Sequence, residues 1–95
     1  MPEDRFLVLK LVVKRSFKKD RIRCLKNKKI TKAELKTIIS KLQEGIPLEV
    51  KHKDHVLKQW KDCKECHVKP DLLLLYQIQN NALILIRLCT HSELF

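Results

Sequence analysis

The sequence predicts an α+β domain in the order β-α-α-β-β-β, with two helices on one face of a small twisted, mainly antiparallel sheet. Two helical patterns occupy the N-terminal half behind a single Val/Leu-rich run. Three strand-like runs crowd the C-terminal half, and Asn80-Asn81 separates the last two at hairpin spacing.

Each element has a local reason. Residues 6–14, FLVLKLVVK, have the Val- and Leu-rich texture of a strand. Ser16 is placed to cap a basic helix that runs to residue 26, with Phe17, Cys24 and Leu25 toward the core. The next helix opens on a capping box, Thr31-Lys32-Ala33-Glu34, in which hydroxyl and carboxylate each satisfy a backbone N–H. Leu35, Ile38, Ile39 and Leu42 then recur at i, i+3, i+4 and i+7 and make one apolar face. Gly45, the only glycine, and Pro47 stop that helix. Residues 47–62 are polar and irregular and hold His52, His55 and Trp60. Residues 65–69, 72–78 and 82–89 read as strands, the middle one apolar enough to be buried on both faces. Asn at positions 80 and 81 tolerates the positive φ that a tight hairpin needs.

Ninety-five residues fit one domain, 1–95, with a single modest core. A 44% hydrophobic content beside 34% charged residues excludes an intrinsically disordered chain. The 21 basic and 11 acidic residues leave a net charge of +10. The excess is concentrated. Between residues 10 and 36 lie Lys10, Lys14, Arg15, Lys18, Lys19, Arg21, Arg23, Lys26, Lys28, Lys29, Lys32 and Lys36, against only Asp20 and Glu34. One lysine is a solvated side chain, but clustered like charge costs stability and points to a polyanionic partner or an acidic protein that masks it. Glu3 and Asp4 precede the first apolar run and Lys10 interrupts it, so that run is not expected to be a signal peptide. No apolar run approaches the roughly 20 residues that cross a bilayer. The expectation is a cytoplasmic chain, without a membrane partner, whose cysteines stay reduced.

Cys63, Cys66 and His67 match the C-x-x-C-H pattern of covalent haem attachment. Haem is not expected: the only methionine is Met1, and nothing directs the chain to an export route. Zinc is the fairer rival, with Cys24, Cys89 or His91 as a fourth ligand. Adjacent Cys66 and His67 would point to opposite faces of a strand, however, and no second paired ligand motif exists. The reading is therefore no metal and no cofactor, with Cys66 a small buried apolar residue. Strand parity suggests something else. His67, Lys69 and Asp71 share one parity, Arg87, Cys89 and His91 another, and in one sheet His67, Asp71, Arg87 and His91 can meet at its end.

These motifs resemble the YafQ-like toxins of the RelE superfamily. The resemblance rests on Asp54-His55, Leu57, Trp60, His67-Val68-Lys69-Pro70-Asp71, Leu74-Leu75-Tyr76, Arg87, Thr90-His91 and a terminal Phe95, with Ser16-Phe17-Lys18-Lys19-Asp20 a looser N-terminal match. It implies a RelE-like fold and ribosome-dependent mRNA cleavage, held in check by a cognate antitoxin. Metal-free RNA cleavage needs a base for the 2′-hydroxyl proton, an acid for the leaving 5′-oxygen, and cations on the phosphorane-like transition state. By resemblance His55, His67, Asp71 and His91 are the acid–base candidates, with base and acid unassigned among them, and Arg87 the phosphate stabiliser. Lys64 and Lys69 are substrate-binding candidates. Phe95 either stacks on a substrate base or docks on the core. The chain departs from the family pattern at Lys64, where an Arg is usual, at Leu72, an aromatic position, and at Cys89, a Gly position. Lys58-Gln59-Trp60 is one residue short of the family spacing. These departures define the alternative expectation, an attenuated toxin fold that serves mainly as an antitoxin-binding partner.

Overall fold

A computed structural model of the chain describes residues 8–52, 55–56 and 62–94, and only the backbone at Val50, His55, Val56, His91 and Leu94. The expected strands 65–69, 72–78 and 82–89 are present as β3 (Lys64–Lys69), β4 (Leu72–Gln79) and β5 (Ala82–Cys89). β1 (Lys10–Val13) leads into α1 (Arg15–Lys26) and α2 (Lys32–Glu44). Three elements go beyond the six expected. The segment read as irregular contains a 3-10 turn (Val50–His52) and a two-residue strand, β2 (His55–Val56), and the C-terminal residues close as one helical turn, α3 (His91–Leu94). Pairs as short as His55↔Glu65 and Val56↔Lys64 leave no periodicity to read.

The sheet order is β1-β5-β4-β3-β2. β2 to β5 run antiparallel to their neighbours, whereas β1 lies parallel to β5, from Lys10↔Ala82 to Val13↔Leu85. The turn between β4 and β5 has φ of 52° at Asn80 and 61° at Asn81, the positive pair that a two-residue hairpin requires.

Both helices bury their apolar faces against the same side of the sheet. Phe17 and Cys24 of α1 join Leu35, Ile38 and Leu42 of α2, over Cys66, Val68, Leu72, Leu74, Tyr76, Leu83, Leu85 and Leu88. Leu72 to Tyr76 are all buried, as a two-faced strand should be. The α2 capping box forms as expected. Thr31 Oγ1 accepts from the Glu34 N–H at 3.1 Å, and Glu34 Oε1 accepts from the Thr31 N–H at 3.0 Å. The N-terminus of α1 is different. Its capping position is Lys14, with no side-chain cap, and Ser16 lies within the first turn. The Ser16 hydroxyl instead donates to the Ile86 carbonyl, 2.6 Å away on β5.

That bond exists because β1 pairs with β5 only as far as Leu85. Past that point α1 takes over the strand edge. The Asp20 carboxylate accepts the Leu88 N–H at 2.9 Å, and the Cys24 thiol sits 3.8 Å from the Leu88 carbonyl. Ser16, Asp20 and Cys24 are spaced i, i+4, i+8, so one helix face stands in for a missing strand.

Removing the α2 cap with Thr31→Ala should cost about 1 kcal/mol of unfolding free energy. Gly45 ends α2 at φ +71° with nothing within 4 Å of an added Cβ. Gly45→Ala should therefore lose about 1 kcal/mol through backbone strain alone. Lying at opposite ends of one helix, the two losses should add in urea unfolding of the double variant.

Candidate active site

The register gathers most of the sequence-predicted residues at one end of the sheet. His67 of β3, Leu73 of β4 and Cys89 of β5 form one row across it. Beyond that row lie Asp71, in the exposed turn between β3 and β4, and His91, the first residue of α3. Arg87 lies two rows back with Leu75 and Glu65, behind the row of Cys66, Leu74 and Leu88. Strands sit about 4.8 Å apart, so the His67 and Cys89 backbones are about 10 Å apart, with β4 between them. His55 is on β2, paired with Glu65, and its side chain and that of His91 are outside the description, as is Phe95 altogether.

A β-bulge gives Arg87 its position. Leu75 pairs with Arg87 but Tyr76 pairs with Leu85, so Ile86 is an extra residue on β5. Strict alternation from Leu83 and Leu85 would send residue 87 into the core. With the bulge, Leu88 takes the core position and Ile86 packs on the other face, against Leu75 and Cys63. Arg87 is released to meet Asp20. Its Nε donates to Oδ2 at 2.6 Å and Nη2 to Oδ1 at 3.3 Å. The Asp20 side chain is buried, only 4% accessible, while that of Arg87 keeps 29%. The hydrogen bonds to Asp20 push the Arg87 pKa further up. Two of its five N–H groups are committed to Asp20.

Asp20 also accepts from Arg23 Nη2 at 3.3 Å, and the same nitrogen lies 3.2 Å from Glu93 Oε2. Glu93 caps the last helical turn through its other oxygen, which accepts from the Thr90 N–H at 2.9 Å. That hydrogen bond lowers the Glu93 pKa, with the Arg23 charge acting the same way. Thr90-His91-Ser92-Glu93 carries the S/T-x-x-E capping signature, so this turn was readable from sequence. Asp20 and Arg23 were not, because their partners lie far along the chain.

His67 Nδ1 is 3.3 Å from the Pro70 carbonyl. A carbonyl only accepts, so Nδ1 carries the proton and the neutral ring keeps its lone pair on Nε2, the arrangement a general base needs. His52 was assigned no role from sequence. Its Nδ1 donates to the His67 carbonyl at 2.7 Å, and the ring is 12% accessible, so the 3-10 turn pins β3 at His67. Val68 is bulged between His67 and Lys69, and Asp71 lies in the turn, so the expected common parity of residues 67, 69 and 71 does not survive. Lys69 ion-pairs with Glu34 at the start of α2, and Lys64 Nζ stands 5.8 Å from the centre of the Tyr76 ring.

All four cysteines are free and buried. Among the described residues no group of three or more His, Cys, Asp or Glu is placed to hold a metal. No described helix is long and apolar enough to cross a membrane. The departures at Leu72 and Cys89 fall on core positions, 1% and 0% accessible, and Cys89 is not among the residues with positive φ. A cysteine there replaces glycine without backbone strain.

Residues 9–95 match the family model described as "Bacterial toxin of type II toxin-antitoxin system, YafQ". The mRNA interferase toxin YafQ of Escherichia coli K12 is 39% identical over 55 residues, 57% of this chain and 60% of that protein. The match thus spans about three-fifths of the curated relative's length. Among solved structures, a copper-bound mutant toxin from Helicobacter pylori superposes with a TM-score of 0.86 at 44% identity, over 92% of this chain and 99% of that one. The E. coli DinJ-YafQ toxin-antitoxin complex gives a TM-score of 0.78 at 28% identity, over 92% and 97%.

Two outcomes follow from the ionisation of these groups. The Lys69 hydrogen bond, then the Thr31 backbone bond, hold the Glu34 carboxyl below its usual range. A carboxyl that titrates lower folded than unfolded stabilises the fold above its ordinary pKa and loses that contribution as pH falls through the lowered value. Lys69→Met should raise the Glu34 titration toward an ordinary glutamate, as read by carboxyl NMR. Burial pushes the Cys24 and Cys63 thiols up and Cys89 to about 11. In the native chain at pH 8 these thiols should react with Ellman's reagent only after unfolding.

Proposed function

The chain belongs to the YafQ family of bacterial type II toxin–antitoxin toxins, and from that premise we propose that it is an endoribonuclease cleaving translated mRNA on the ribosome. The observation that carries this reading is the gathering of His67, Asp71 and the turn opening at His91 at one sheet end, two rows from an anchored Arg87. The relatives' name, mRNA interferase, supports the reaction class.

In the proposed reaction the 2′-hydroxyl attacks the adjacent phosphate and the bond to the 5′-oxygen breaks. A base removes the hydroxyl proton and an acid delivers one to the leaving oxygen. His67, with its lone pair on Nε2, is suited to the base role, and His91, His55 and Asp71 supply the remaining acid–base candidates. Arg87 stabilises the charge that builds on the phosphate oxygens, using N–H groups that Asp20 does not take. Lys64 and Lys69 lie along β3 for backbone contacts, and Phe95 is the candidate stacking residue.

The cations of residues 10–36 support a polyanionic site of action, since all but the half-buried Arg21 are exposed. They also suit an acidic segment of a cognate antitoxin; that there is such a partner is supported by the DinJ-YafQ toxin-antitoxin complex. A cytoplasmic location follows from the ribosomal substrate.

Inducible expression in bacteria tests this directly. The wild-type chain should arrest growth and cut mRNA, both in cells and in a translating extract. His91→Ala, made at equal yield, should cut at least about 100-fold more slowly, the scale on which acid–base groups contribute. A fully active His91→Ala chain would sink the mechanism.

A further inference from the structure

We propose that Asp20 and Arg23 of α1 are positioning residues that set the distance between the Arg87 guanidinium and the turn that opens at His91. The assignment rests on the nuclease reading above and adds to it a part that no candidate residue supplies.

Asp20 holds Arg87 in a two-point grip, which fixes both the position and the plane of the guanidinium. The same carboxylate is tied to the strand itself through the Leu88 N–H. The guanidinium is therefore referenced to the β5 backbone one residue from its own Cα. The second arm runs through Arg23, whose Nη2 bridges Asp20 Oδ1 at 3.3 Å and Glu93 Oε2 at 3.2 Å. Glu93 uses one oxygen for that bridge and the other to cap the turn at Thr90. A helical turn of four residues is too short to hold itself together unless something ties it down. Here the tie leads to the carboxylate that orients Arg87. Two acids and two arginines make the set neutral in total, so on this basic chain it needs no outside counter-charge.

The arrangement ties the phosphate-binding group and the histidine turn to one helix as well as to the segments that carry them. Both are indexed to α1, through Asp20 and Arg23 one turn apart. Catalytic groups must be held to within a fraction of an ångström, and small misplacements cost rate rather than binding.

The test compares Asp20→Asn, Arg23→Gln and Glu93→Gln with wild type, in full-length protein. Glu93→Gln is informative because glutamine still serves in a capping box, so only the charge pair with Arg23 is lost. Arg23 and Glu93 lie at the surface, with 47% and 39% of their side chains accessible, so these two variants should fold normally. Single-turnover cleavage should fall about tenfold or more for Asp20→Asn and about threefold for each of the others, with KM changed less than twofold. The double variant Arg23→Gln/Glu93→Gln should be no slower than Arg23→Gln alone, because that substitution already removes the contact with Glu93. Amide exchange gives a readout independent of RNA. The Glu93 N–H should exchange faster in Arg23→Gln, and the Leu88 N–H faster in Asp20→Asn but not in Arg23→Gln. Wild-type rates in Arg23→Gln and Glu93→Gln, beside an active wild type, would overturn the positioning role. A wild type that cleaves nothing would instead overturn the nuclease reading, and with it any role in the reaction. The exchange rates would then show only whether the clamp exists.

Discussion

Most of the architecture around the candidate site depends on one buried carboxylate at an unfinished sheet edge. β1 covers β5 only to Leu85, yet β5 runs on to Cys89. An uncovered strand edge inside a protein leaves backbone donors and acceptors without partners, at a cost comparable to lost hydrogen bonds. The chain resolves this with a helix instead of a strand. Asp20 supplies the acceptor for Leu88, Ser16 the donor for Ile86, and Phe17 between them packs the same helix into the core. Burying a carboxylate is expensive unless it is both hydrogen-bonded and paired. Asp20 has the backbone donor and two arginines, so the edge repair and the arginine anchor are one structure.

The bulge at Ile86 belongs to the same solution. It turns the Leu88 backbone outward toward α1 and its side chain inward toward the core, and it moves Arg87 off the core face. Without the extra residue, Arg87 would enter an apolar cluster with no acid in it, and Asp20 would face a leucine. The second bulge, at Val68, works in the same direction on β3. It lets Lys69 reach Glu34 on α2 while Val68 stays in the core. Bulges of this kind re-aim side chains at the ends of sheets, where chemistry is usually placed.

What the sequence revealed and what it hid divide by range. The Thr31 cap, the Gly45 stop, the Leu35–Ile38–Leu42 face and the Asn80-Asn81 turn all depend on residues within one or two turns of each other, and each formed as expected. Ser16 misled because a serine at the start of a helix has a strong local interpretation, whereas its partner lies 70 residues away. Asp20 was hidden for the same reason, as the lone acid of the basic helix α1, with its partners on β5. Parity placed His67 and Arg87 two rows apart and held for Arg87 with Cys89, but it failed past the bulge at Val68, because one inserted residue reverses every later side chain. Motif resemblance supplied what periodicity did not, since it reads order along the chain and is indifferent to bulges.

Charge in this chain has two separate uses, and that separation bears on the departures from the family pattern. The cations of residues 10–36 are nearly all exposed and are mostly interchangeable contributors to a field. Arg87 and Arg23 are different: each is fixed by named acids at hydrogen-bond distance. Lysine cannot reproduce a two-point grip on a carboxylate, so Arg87 is the position where an Arg-to-Lys change would matter most. The chain keeps arginine there. Its lysine substitution falls at Lys64, which stands beside the Tyr76 ring on a strand that Leu75 and Leu74 already hold in register. The cysteine and leucine substitutions fall in the core. On the proposed reading, these three substitutions fall where packing or field strength decides the outcome, and Arg87 is kept where geometry does; the shortened 58–60 segment lies outside the described residues.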